Sequence, residues 1–284
     1  MQIKTPRWST GRGTRRGKVR LTRRGRIALI AGGAVVAATA VAVAVPLLLP
    51  DDDVRRPETL TIPEGWRAGQ VYRAVDKALR VPAGTTQRAV PRAGLKLPAE
   101  AGGNPEGYLF PATYPLSPRS TPESVLSYMV DTANKKYGGG SATAGADHHA
   151  MSVYQTVTIA SVIEAEAGSR QEMGKVARVI YNRLDQGIPL QMDSTVNYAL
   201  NRFTLSTSDR DTKINSPYNT YARMGLPPTP IGNPSAEAMR AAAGPPTGDW
   251  LYFVTVRPGD TRFTAKYEEH QRNVEEFNEV SKRS

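Results

Sequence analysis

The spacing of apolar positions divides the chain into three kinds of segment. Residues 27–49, IALIAGGAVVAATAVAVAVPLLL, are twenty-three positions without a charge. Two short apolar runs, LTI at 60–62 and WLYFVTV at 250–256, have strand length. Elsewhere apolar residues recur every three or four positions, as on one face of a helix. After LTI, Pro63-Glu64-Gly65 is a turn, and Val71, Val75 and Leu79 mark an amphipathic helix. Thr121-Pro122-Glu123 opens another helix, with Thr as cap and Pro at the first helical position, running to about Tyr137. GGGSATAGAD, 138–147, reads as a flexible loop.

A third helix is predicted over 152–167, with Gly168 as its stop. Ser169 and Glu172 have the spacing of a capping box for a fourth, whose apolar face is Met173, Val176, Ala177, Ile180 and Leu184. Gly187 ends it. WLYFVTV, a turn at 257–260 and strand 261–264 form a predicted hairpin, followed by a polar last helix. The pattern contains no internal repeats and predicts an α+β protein with more helix than strand.

Charge changes the picture once it is located. The chain of 284 residues carries a net charge of +11, yet residues 1–26 hold ten Lys or Arg and no acid. The remainder has 27 basic against 26 acidic residues and is nearly neutral. A basic tail (1–26), an apolar run long enough for a bilayer (27–49) and a linker (50–56) opening on Asp51, Asp52 and Asp53 predict a single transmembrane helix. Its N-terminus is then cytoplasmic and the body extracytoplasmic, at the cell membrane. A cleavable signal peptide ending near Ala42-Val43-Ala44 and a twin-arginine export signal at Arg23-Arg24 are the rival readings. Attraction to anionic lipid explains the tail more simply than nucleic-acid binding, for which the neutral body has no matching surface. There are no cysteines, and His148, His149 and His270 show no ligand spacing, so neither metal nor cofactor is expected.

ASVIEAEAG, 160–168, carries the chemistry that stands out, because two carboxylates interrupt a core-like run. On a helix turning about 100° per residue, Glu164 lies within about 40° of Val153, Val157 and Ala160, inside an apolar stripe. Glu166 lies roughly 160° away, so the two cannot form a facing pair. Glu164 is expected to be the more deeply buried. Either it pairs with an arginine of the next helix, Arg178 or Arg183, or apolar neighbours keep it protonated as a general acid. The pattern leaves both readings open.

Five blocks occur in order: EGYLFPATYPL (106–116), ASVIEAEAG, VARVIYNRLDQGIPLQMDSTVNYAL (176–200), SPYNTYARMGLPPTPIGNPS (216–235) and DWLYFVTV with FTAKYEEHQRNV (249–274). Together they resemble the endolytic murein transglycosylase (MltG, or YceG-like) family, and TIPEGW (61–66) resembles the LysM-like module that precedes it. The resemblance implies a LysM-like module at 57–105 and a YceG-like catalytic domain at 106–284. It implies a lytic transglycosylase that cuts the MurNAc–GlcNAc bond of nascent peptidoglycan without water, leaves 1,6-anhydro-MurNAc ends and so terminates glycan elongation.

Glu164 matches the family's catalytic acid/base. Glu166 is implied as a substrate-orienting residue or a salt-bridge partner. Gln191, Asp193, Ser194 and Thr195 match a cleft-lining block, with a helix cap as the alternative role for Asp193. Tyr218, Asn219, Thr220 and Tyr221 are implied as contacts for N-acetyl sugars, against a turn held by its own side chains. Thr261 stands where many relatives have histidine. Partners implied are peptidoglycan glycan strands, membrane lipid and cell-wall synthases, and a catalytically silent peptidoglycan-binding scaffold is the alternative function.

Overall fold

The computed structural model describes residues 58–139, 151–204 and 207–283. The basic tail, the apolar run at 27–49, the linker and most of the glycine-rich loop lie outside the described residues. Pro57–Ser284 forms a single compact unit. No helix among the described residues is long and apolar enough to cross a membrane.

The described elements are eight α-helices, three single-turn 3-10 helices and two two-stranded sheets, an α+β architecture. Strand β1 (Thr59–Thr61) pairs antiparallel with β2 (Thr113–Pro115), Leu60 opposite Tyr114. Both central residues are buried, and the outer Thr61 and Thr113 hydroxyls meet at 3.0 Å. The pair joins residues on both sides of position 105. Between the strands lie α1 (Ala68–Leu79) and α2 (Thr85–Ala89). Val71 and Val75 of α1 are fully buried, as their four-residue spacing requires, and Leu79 is half-buried. Buried Asp76 caps the start of α2 by accepting from the Gly84 and Thr86 amides and the Thr86 hydroxyl.

Helix α3 (Pro122–Tyr137) starts at the Thr121 cap, whose hydroxyl accepts from the Ser124 amide. At the centre lies α4 (Val153–Glu166), buried on nearly all sides from Tyr154 to Ile163 and touching α5 (Arg170–Asp185), α6 (Asp193–Ala199) and α7 (Ala236–Ala243). Its Thr156, Thr158 and Ser161 hydroxyls bond back to carbonyls one turn earlier, which satisfies polar groups inside the core. Strands β3 (Tyr252–Arg257) and β4 (Asp260–Thr264) form the expected hairpin against α8 (Tyr267–Arg283).

Two expected helix signals are corrected. The chain leaves α4 at Ala167 in an extended conformation, so Gly168 is not the left-handed stop. Ser169 precedes α5 without a side-chain cap bond, and Glu172 leaves a buried carboxyl oxygen unpartnered instead of closing a capping box.

Candidate active site

The polar residues of ASVIEAEAG each accept a backbone N–H, from two different segments. Ser161 Oγ accepts from Ile231 at 3.0 Å, Glu164 Oε2 from Ser235 at 3.0 Å, and Glu166 Oε1 from Ser194 at 3.0 Å. Helix rotation explains the division: Ser161 and Glu164, one turn apart, face the 231–235 segment, and Glu166 faces the opposite side. The carboxylates are thus separate sites, not a pair.

Neither Arg178 nor Arg183 reaches Glu164. Arg178 donates to the Pro245 and Pro246 carbonyls, and Arg183 to the carbonyls of Leu251, Pro189 and Leu190 and to Gln191 Oε1. Glu164 is also not the more deeply buried of the two glutamates. Both residues are half-buried, and it is the Glu166 carboxyl that is enclosed. The stripe formed by Val157 and Ala160 runs out of the core at the last turn of α4, where Glu164 lies half-buried between Gly65 and Ser235. Burial raises the Glu166 carboxyl above the usual carboxylate range, the Ser194 amide opposes that, and the Asp193 charge adds to it.

Ser194, Asp193 and Tyr221 lie near Glu166, and the predicted set falls into two roles. Asp193 opens α6, and its Oδ1 accepts from the Tyr221 hydroxyl at 2.6 Å and from the Thr207 hydroxyl. It is the first helical residue and makes no cap bond. Thr195 and Thr220 are buried and bond each other at 2.8 Å. Asn219, fully buried, gives its amide to the Thr212 and Ile214 carbonyls and accepts from the Tyr221 amide. These residues hold the loop. Tyr218 and Tyr221 are half-buried, as are Asp193 and Ser194, with the Tyr218 hydroxyl on Thr229 and its ring 5.0 Å from Tyr198. Gln191 is exposed at a left-handed φ of 53°, its backbone N–H donating to the Thr220 carbonyl. Thr261 bonds Thr255 across the hairpin.

Sequence reasoning missed the segment that packs on the other side of Glu164. The turn at Gly65 lies against the glutamate stem: a Cβ on Gly65 would sit 3.6 Å from Glu164 Cγ. Glu64 beside it feels the Glu164 charge, which together with partial burial raises its own carboxyl. Arg170 reaches Glu237 at 3.3 Å and Glu64 at 3.8 Å along the rim. TIPEGW and PIGNPS were both visible in the sequence, but no local pattern tells that they touch.

The YceG-like family model matches residues 36–276, most of the chain. This chain belongs to the YceG-like family. Its described unit is similar to the crystal structure of a YceG-like protein from Listeria monocytogenes, with a TM-score of 0.67 at 29% identity over 76% of this chain and 75% of that one. Proteins named endolytic murein transglycosylase match from Bacillus subtilis (38% identical over 61% of this chain) and Streptococcus pneumoniae (35% over 60%). The match spans 48% of the Bacillus protein and 32% of the Streptococcus one. Among the described residues of this YceG-like chain, no group of three or more His, Cys, Asp or Glu is placed to hold a metal ion.

Proposed function

We propose that the protein is a membrane-anchored endolytic lytic transglycosylase that cleaves the MurNAc–GlcNAc bond of peptidoglycan strands, with Glu164 as its single acid/base. The observation that carries the reading is the setting of Glu164. Its Oε2 is fixed by the Ser235 amide, and among the described residues nothing hydrogen-bonds Oε1, which leaves that oxygen for a proton. The names of the Bacillus and Streptococcus relatives supply the substrate class.

In the proposed cycle, protonated Glu164 donates to the glycosidic oxygen. The bond from that oxygen to C1 of MurNAc breaks, and the GlcNAc 4-hydroxyl leaves. The 6-hydroxyl oxygen of the same MurNAc bonds to the electron-poor C1, and its proton passes to the Glu164 carboxylate, which restores the acid. No water is consumed, and intramolecular attack gains from proximity. One carboxyl suffices, in accord with a Glu166 that faces another loop. Half-buried Tyr218 and Tyr221 offer ring faces to sugar, and the apolar run at 27–49 supports an anchor that keeps the site near nascent strands.

The test is the full chain in detergent micelles, beside its Glu164→Gln variant, incubated with uncrosslinked glycan and read by mass spectrometry. Anhydro-muramic ends from the first alone support the proposal. Reducing ends make it a hydrolase, and glycan binding without cleavage makes it a scaffold.

A further inference from the structure

We propose that Asn233 is a positioning residue for the Glu164 chemistry, and that it acts by clamping the turn at 63–66 against the Glu164 side chain. The inference rests on the reading of Glu164 as acid/base. It gives the N-terminal strand–turn–helix module a part in turnover.

Asn233 uses every polar group it has in this junction. Its carbonyl accepts from the Gly65 amide at 2.8 Å, and its amide donates to the Trp66 carbonyl at 2.9 Å. The side-chain Nδ2 donates to the same carbonyl at 2.7 Å, and Oδ1 accepts from the Leu109 amide at 2.8 Å. The residue is fully buried, so each of these bonds is shielded from water. Its neighbour allows the approach: a Cβ on Gly232 would lie 2.8 Å from the Gly65 carbonyl oxygen. Gly65 itself has a φ of +73°, which a glycine adopts without strain.

The opposite face of the same segment is fastened to α4. Ile231 and Ser235, on either side of Asn233, donate their amides to Ser161 and Glu164. Residues 231–235 are therefore a strap with the catalytic helix on one face and the module turn on the other. The Glu164 stem lies where the two meet, with Gly65 against its Cγ and Ser235 on its carboxyl. Two fixed points, on stem and tip, limit the rotamers open to the carboxyl. Releasing the turn removes one of them and lets the acid leave its productive geometry.

The experiment compares the full chain in detergent with Asn233→Ala, which removes both side-chain bonds, and Gly232→Ala, which pushes the turn away without deleting a polar group. Gly69→Ala serves as a module control, because a Cβ there meets only the end of the Arg73 side chain, at 3.7 Å. Rates of anhydro-end formation on uncrosslinked glycan give kcat and KM, and circular dichroism gives the folded fraction at each assay temperature. The expected result is a kcat per folded molecule lowered about 10- to 100-fold in both junction variants, with KM unchanged and Gly69→Ala like the wild type. Full kcat in the junction variants, a rise confined to KM, or a loss that vanishes on correction for the folded fraction each overturns the inference. An active wild type beside active variants overturns this inference alone; a wild type that forms no anhydro ends overturns the acid/base reading and this inference with it.

Discussion

Glu164 Oε2 and the Ser235 amide lie 3.0 Å apart, and Ser235 is the residue that caps α7, its hydroxyl accepting from Ala238. The glutamate therefore closes on the start of a helix, where backbone N–H groups lack intrahelical partners. An N–H donor binds a carboxylate oxygen and the carbonyl oxygen of a carboxylic acid alike. The contact can persist through both proton transfers of the proposed cycle, holding the reacting group still while its charge changes.

Glu164→Gln tests that arrangement directly. The amide oxygen replaces Oε2 toward Ser235, so the melting temperature is expected to stay at the wild-type value. Anhydro-end formation is expected to fall about 10²- to 10⁴-fold, the usual worth of a general acid/base. A lowered melting temperature would assign the glutamate a structural role as well.

Ser235→Ala removes the hydroxyl cap of α7 while leaving the backbone amide in place. The expected cost is about 1 kcal/mol of unfolding free energy, measured by urea denaturation. No change would mean that packing of Ala238, Met239 and Ala242 holds α7 without its cap.

Glu106 predicts a pH dependence. Its carboxyl accepts from the Ala68 amide at 2.8 Å and the Tyr198 hydroxyl at 3.0 Å. Burial pushes it up to about 7, against those bonds and the Arg67 guanidinium. A raised folded-state value favours the protonated form in the fold. The associated stability is fully present below the ordinary value of 4.5 and is lost as pH rises through about 7. Within that window the slope approaches about 1.4 kcal/mol per pH unit. Glu106→Gln keeps an acceptor for Ala68 and should remove this contribution, so urea midpoints at pH 4.5, 6 and 8 should spread less than in the wild type. Parallel profiles would show that Glu106 does not titrate with folding.

Gly107→Ala addresses the packing beneath the strap. A Cβ there would lie 2.6 Å from Pro230 Cβ and 3.0 Å from Val157 Cγ1, at a φ of +84°. Overpacking and backbone strain together are expected to cost about 3 kcal/mol or more in denaturant unfolding. A loss below about 1 kcal/mol would mean that Pro230 can yield.

Periodicity read the long helices well because Val71 and Val75, or Met173, Val176, Ala177 and Ile180, occupy the buried side of a cylinder whose other side faces water. It misjudged the depth of Glu164 for the same reason. Helix α4 is enclosed on nearly every side, so its face does not decide exposure; the point at which its last turn leaves the core does. Strand β2 went unread because three residues ending in Pro115 carry too little alternation to register. The meeting of Gly65, Asn233 and Ser235 around Glu164 was illegible for a deeper reason: it joins segments far apart in the chain, and several of its bonds run through backbone groups that side-chain identity hardly encodes.

The β1–β2 pair has a consequence for how the chain acquires its shape. Thr61 and Thr113 are 52 positions apart, and the sheet they complete is the module's own. During synthesis from the N-terminus, β1 emerges long before its partner exists and waits as an unpaired edge, the kind of surface that invites wrong pairing. Its closure must await residue 115 and then meets the entropy of joining a long loop. A gene fragment ending at residue 105 would encode α1 and α2 but only half of their sheet. The module is thus poorly suited to recombination as an independent cassette, and its inheritance is tied to that of the helices that follow.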